Sequence, residues 1–216
     1  MEKTLTEAPA KDYRVVKHRI PDELVYERIN GKPVYYKGYQ DVIKQNKQIE
    51  EVMGSSLLQS LIVQYLLRFM FVILDKNKFD ILTNELGIHL SNKNNISADI
   101  AIYEKSKLYT SKIEDKYVTI PPKLIIEIDT KADLNDFDNV MDYYTVKTNK
   151  LFEFGVEKVL WILTTNRHII DATPNSPWFI KKWNDEIELF DNHSFNLENL
   201  LKDEGVWDLL IIDEQK

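Results

Sequence analysis

The stretch "KLIIEIDTKADLNDFDNVMDYYTVKTNKLFEFGVEKVLWIL", residues 123–163, decides the fold. Leu124, Ile125, Ile126 and Ile128 read as a buried strand, with Glu127 set inside it and Asp129 just after it. Side chains alternate along a strand, so residues i and i+2 share a face. Glu127 and Asp129 are therefore expected on one side. From Asp133 to Phe154 the period changes. Leu134, Phe137, Met141, Tyr144, Thr148 and Leu151 recur at three and four, which predicts an amphipathic helix. Asp133 is the expected N-cap and Gly155 the expected C′ residue. "KVLWIL" returns as a second strand. Such a strand–helix–strand unit predicts a right-handed parallel crossover.

Outward from this unit, "LVYERINGKPVYYKG" (24–38) reads as a hairpin, since β-branched and aromatic residues flank Asn30-Gly31. A long helix is expected over about 47–76. Its polar stripe, Ser56, Ser60, Gln64 and Arg68, is narrow, which suits a helix packed on most of its circumference. "FDILTNELGIHL" (79–90) reads as a strand, a turn and a second strand, and "SADIAIYE" (97–104) as another strand with Asp99 near its start. Pro121-Pro122 stops any element before 123. "RHIIDAT" and "WFIKKW" add strands after 164, and the tail holds a short helix. The fold class is α/β, in the α+β sense of one mixed sheet with a helix on each side. Residues 1–20 are polar and aperiodic and are expected as a loose arm; 21–216 form one domain.

The chain has 216 residues, enough for one sizeable core. It has no cysteine, which excludes disulfides and thiolate metal sites. The apolar run 57–74 approaches membrane-span length, but Gln59, Ser60, Gln64 and Arg68 interrupt it, so it is expected to be a buried helix and not a span. The N-terminus has no apolar core with a cleavage site, which makes the cytoplasm the expected location. Net charge is −7, which counts against tight nonspecific gripping of phosphates. It leaves room for a cation that offsets acids in a cleft.

Three groups could carry chemistry: Asp99, the Glu127/Asp129 pair, and the lysines of the 133–154 helix. If the strands of Asp99 and Glu127 pair, two carboxyl groups converge at one sheet edge. Such a pair suits Mg²⁺ or Mn²⁺, which takes oxygen ligands and keeps several waters. A cation there polarises a phosphoryl oxygen and acidifies a bound water. Bland alternatives stand beside this reading. Asp99 could cap a turn, Asp129 could accept hydrogen bonds from a loop, and Glu127 could pair with a lysine. Yet a carboxyl group inside so apolar a strand is costly unless something meets it. Lys147 falls on or beside the packed helix face, and Lys150 is turned away by about one position.

The acid Asp99 in one strand, "LIIEI" in the next and a helix ending in "GVEKVLWIL" resemble the PD-(D/E)xK nuclease superfamily. More narrowly, "YERINGKPVYY", "SSLLQSLIVQYLL", Ala98-Asp99, "PPKLIIEI" and Lys147 eight residues before Gly155 resemble the Uma-two family of bacterial restriction-endonuclease-like proteins. The likeness spans about 24–200. It implies a restriction-endonuclease-like sandwich, with Asp99 and Glu127 as ligands of Mg²⁺ or Mn²⁺ and Lys147 as the catalytic lysine carried on the helix. Three departures accompany it. Ala98 replaces the proline before the aspartate. Asp129 stands where the superfamily's lysine usually sits and adds an acid to the site. Gln59 occupies the place where relatives often carry histidine. The implied roles of Gln59, Asp129 and Glu27 stay open at this stage.

The implied activity is metal-dependent hydrolysis of DNA phosphodiester bonds by an endonuclease. Two other readings fit the same residues: a non-catalytic binding or regulatory module, and a nuclease for RNA or small phosphodiesters. DNA is the expected partner. A homodimer is the expected assembly for cutting both strands, because C₂ pairing is the common way to present two sites.

Overall fold

Asn30 and Gly31, both in left-handed conformations, turn the chain between β1 (Val25–Ile29) and β2 (Lys32–Tyr35). This is the conformation an Asn-Gly hairpin turn requires. The computed structural model describes residues 20–110 and 112–210. The expected N-terminal arm, apart from residue 20, lies outside them.

Two short helices follow, α1 (Tyr39–Ile43) and α2 (Glu50–Met53), and then α3 (Leu57–Ile73). The single helix expected over 47–76 is thus broken at 54–56. Gly54 adopts an extended backbone, and the Ser56 hydroxyl caps α3 by accepting from the Gln59 N–H. Local capping there overrides the helical period. β3 (Phe79–Ser91) is one continuous strand, where the sequence suggested two with a turn. It pairs along its whole length with β4 (Asn94–Glu104). Where a turn was expected, the strand carries a bulge at Asn84-Glu85, so the polar pair bends β3 without ending it.

After a single turn, α4 (Lys105–Leu108), β5 (Leu124–Ile128) enters the sheet. It runs antiparallel to β4 and parallel to β6 (Lys158–Leu163). The crossover between β5 and β6 is α5 (Val140–Phe154). Its N-cap is Asn139, which accepts from the Asp142 N–H. Asp133, the expected cap, instead closes a loop by accepting from the Asn135 N–H. Gly155 ends the helix in the left-handed region, as expected. β7 (His168–Ala172) and β8 (Phe179–Lys182) extend the sheet to its far edge. A small pair, β9 (Ile187–Phe190) with β10 (His193–Phe195), and α6 (Leu197–Asp203) complete the chain.

Among the described residues, eight strands form one mixed sheet in the order β2-β1-β4-β5-β6-β7-β8, with β3 on the second edge of β4. Alternation along β5 builds two cores. Leu124, Ile126 and Ile128 face α3 and α6, with Ile62, Leu66 and Leu201. Ile125 faces α5, with Tyr143, Leu151 and Trp161. Glu127 is two residues from Ile125, so the same alternation turns it toward α5. All five residues of β5 are buried, Glu127 included. No helix among the described residues is long and apolar enough to cross a membrane.

Candidate functional site

β4 changes partners midway. One edge stays with β3. The other pairs with β1 at Asn95, opposite Arg28, and with β5 only from Ile100, opposite Ile126. Side chains fill the interval between. Glu27 of β1 accepts from the Ser97 N–H at 3.2 Å. Lys147 of α5 donates to the Ser97 carbonyl at 3.1 Å. Asp99 accepts from the Ile128 N–H through Oδ2 at 2.8 Å. Three backbone groups that a regular ladder would satisfy are thus met by three ionisable side chains.

The strand is irregular at the same point. Thr83 lies opposite Ile100 and Leu86 opposite Ala98, so Asn84 and Glu85 together face Asp99. Both sit in the left-handed region, at φ 72° and 52°. Left-handed backbone costs roughly 1–2 kcal/mol for a non-glycine residue. The Asp99 carbonyl accepts from the Thr83 hydroxyl at 2.7 Å, which holds the bulge against β4. β4 loses strict alternation here as well: Ala98 and Ala101 share the α5-facing core, while Asp99 turns toward α3.

Glu127 and Lys147 lie inside the sheet–α5 layer, almost wholly removed from solvent. The Lys147 ammonium has three neighbours: Glu27 Oε1 at 2.6 Å, Glu127 Oε1 at 2.9 Å and the Ser97 carbonyl at 3.1 Å. Glu127 Oε1 is sealed from solvent and meets the Lys147 ammonium as an ion pair at 2.9 Å. The second oxygen of Glu27 accepts from the Tyr143 hydroxyl at 2.9 Å. Tyr26 and Trp161 place their rings within 6 Å of the ammonium and close the cage. Trp161 is itself pinned by its Nε1–H donating to the Thr148 hydroxyl at 2.9 Å.

One ammonium thus faces two glutamates, with Asp99 nearby. Burial pushes the Glu127 carboxyl up to about 8; Lys147 opposes the shift, and Asp99 and Glu27 add to it. Burial works against the Lys147 ammonium, but Glu127 and Glu27 outweigh it and hold its pKa well above the ordinary lysine range. Asp99 is also raised, by burial first, against the Ile128 N–H, Lys147 and Lys131.

Gln59 on α3 reaches Asp99 and donates to both of its oxygens, at 3.2 and 3.3 Å. These two residues line an open cavity of about 270 Å³ together with Thr83, Asn84 and Glu85. Asp129 goes elsewhere. Its φ is +56°, so alternation ends one residue earlier than the sequence pattern suggested. Both its oxygens are taken by Thr164, from the backbone N–H at 2.8 Å and the hydroxyl at 2.6 Å. Asp129 ties the end of β5 to the end of β6 and does not share the Glu127 face. Lys150 is turned outward, paired with Glu153 at 2.6 Å.

No protein-family model matches the sequence, and no curated protein does. A solved structure does match: a protein from Anabaena variabilis described as a "putative nuclease belonging to DUF820". The TM-score is 0.60 at 13% identity, over 82% of this chain and 89% of that one. The two chains share a fold. The mixed sheet flanked by helices is therefore a known architecture, and sequence likeness at this level carries no more than that.

Two carboxyl groups of the site, Asp99 and Glu127, are of the oxygen-donor type that a hard divalent cation takes. Asp99 Oδ1 is met only by the long contact to Gln59, whereas Glu127 Oε1 already faces the Lys147 ammonium at 2.9 Å. Asp99 and Glu127 are the residues that would hold the cation, at a junction where oxygen donors converge. Three participants escaped the sequence reading. Tyr143 precedes Lys147 by four residues, so helical spacing alone puts it on the same face. Glu85, which lines the cavity, forms an ion pair with Lys131, and no pattern in the sequence links them.

Proposed function

We propose that the chain is a metal-dependent endonuclease that hydrolyses phosphodiester bonds in DNA. The observation that carries this reading is the convergence of Asp99, Glu127 and Lys147 on the interval where β4 changes partners. The nuclease description of the Anabaena structure supports it. Asp99 and Glu127 would hold a divalent cation, which would polarise a phosphoryl oxygen and acidify a bound water. The chain's own residues do the rest. Gln59 orients the Asp99 carboxyl toward the cavity, and the Ile128 N–H fixes its other side. Lys147 keeps a positive charge beside Glu127 and steadies its ionised form when the proton leaves. Glu27 and Tyr143 lock the ammonium in place.

A second reading rests on the burial of Lys147. Its ammonium is held by Glu27, Glu127 and the Ser97 carbonyl, and its side chain has no solvent exposure. A lysine so satisfied suits a binding module that uses the charge cluster only to close its sheet. Incubation with supercoiled plasmid in EDTA, Mg²⁺ and Mn²⁺, beside Glu127→Gln, separates the two. Metal-dependent nicking that disappears in the variant is expected. Absence of cutting on DNA, RNA and short oligonucleotides alike, with the fold intact, would overturn the nuclease reading.

A further inference from the structure

The locked state of Lys147 raises a question about charge. A phosphodiester entering the cavity at Asp99 meets carboxyl groups first, and Lys147 is sealed behind them. A second cation, Lys131, pairs with Glu85, a residue of the cavity lining. Lys131 follows β5 by three residues, and its backbone is pinned on the hairpin side. Its carbonyl accepts from the Lys37 N–H at 2.6 Å, and the next residue, Ala132, bridges Tyr36. The side chain is mostly covered, at 12% exposure, and its ammonium pairs with Glu85. Glu85 comes from the strained half of the β3 bulge directly opposite Asp99 and lines the same cavity. The bulge thus spends backbone strain to aim one carboxyl group at one lysine beside the site. Bulges next to active sites commonly re-aim a side chain in this way.

We propose that Lys131 is the phosphate-binding residue of this site, and that Glu85 occupies it until a phosphate displaces the carboxyl group. The inference rests on the nuclease reading above and adds a residue to it. The exchange is one of partners only: the ammonium leaves a carboxylate for a phosphate oxygen, and no covalent bond changes. Charge-assisted bonds to either partner are similar in kind, so the swap is close to balanced and reversible. Glu85, at 38% exposure, has water to turn into once released.

The test measures binding of a fluorescent 20-mer duplex to the full chain across a salt series, in EDTA and again in Ca²⁺. Each phosphate neutralised contributes about 0.9 to the slope of log K against log salt on duplex DNA. Lys131→Met keeps the covered stem and removes the charge. It should lower the slope by about 0.9 and weaken binding roughly ten-fold at 0.1 M salt. Lys131→Arg should keep the wild-type slope, which separates charge from folding. Glu85→Gln should tighten binding several-fold, and that gain should vanish in the Lys131→Met background. An unchanged slope in Lys131→Met, on a protein that does bind, overturns this inference alone. A wild-type chain that binds neither DNA nor RNA in either buffer overturns the nuclease reading, and this inference with it.

Discussion

Glu127→Gln tests the charge cluster most directly, through stability and without any substrate. In the unfolded chain this carboxyl group titrates near 4.5, and in the folded chain near 8. Between those values the native state keeps a proton that the unfolded state has released. Stability therefore falls as pH rises, at up to about 1.4 kcal/mol per pH unit for one group. The contribution is fully present below about pH 4.5 and lost as pH passes through 8. From pH 5 to pH 8 the loss is about 3 kcal/mol, a large part of the roughly 5–15 kcal/mol that holds a domain together. Glutamine has the same size and no proton to lose. The unfolding free energy of wild type minus that of Glu127→Gln, taken from urea titrations at half-unit steps, should fall by about 3 kcal/mol over that range. Taking the difference cancels the titration of groups outside the cluster. Parallel profiles from pH 5 to 8 would refute the reasoning, because they would mean that the buried carboxyl group sheds its proton as freely as an exposed one.

Other perturbations give smaller or simpler outcomes. Glu27→Ala removes one partner of a buried ion pair and frees the Tyr143 hydroxyl, so it should cost about 3–5 kcal/mol in urea unfolding. Lys150→Ala, on the outer face of α5, should stay within about 0.5 kcal/mol of wild type in the same assay. Gly155→Ala forces a side chain into φ +114° with Pro121 only 3.2 Å from the new Cβ, and thermal unfolding should shift down by at least the equivalent of about 1 kcal/mol. A cation that takes up Glu127 must displace its proton, so calorimetry of Mn²⁺ binding at pH 7 should show proton release in buffers of different ionisation enthalpy, and none in Glu127→Gln.

The crossover from β5 through α5 to β6 was legible because each piece declares its period within a few residues. The burial of Lys147 and Leu151 on one helix face follows the same way. Boundaries were less legible, since they depend on local hydrogen bonds: Ser56 restarts a helix, and Asn139 begins one that the apolar period extends back to Asp133. Asp129 shows a harder limit. Alternation predicted its face, but a left-handed backbone and two bonds from Thr164 turned it away. The β3 bulge was read as a turn because Asn84-Glu85 carries turn chemistry, and only a partner strand as long as β4 keeps it in the sheet. Glu27 lies 120 residues from Lys147, and no local rule connects them.

The interval on β4 has a consequence for relatives and variants of this protein. Glu27, Asp99 and Lys147 stand in for a missing strand by satisfying Ser97 and Ile128. A chain with no catalytic activity would still need them to close its sheet. Selection for folding alone would preserve the whole constellation. Inheritance of these residues in a homologue is therefore a record of architecture, and only a chemical assay can tell a working member from a retired one.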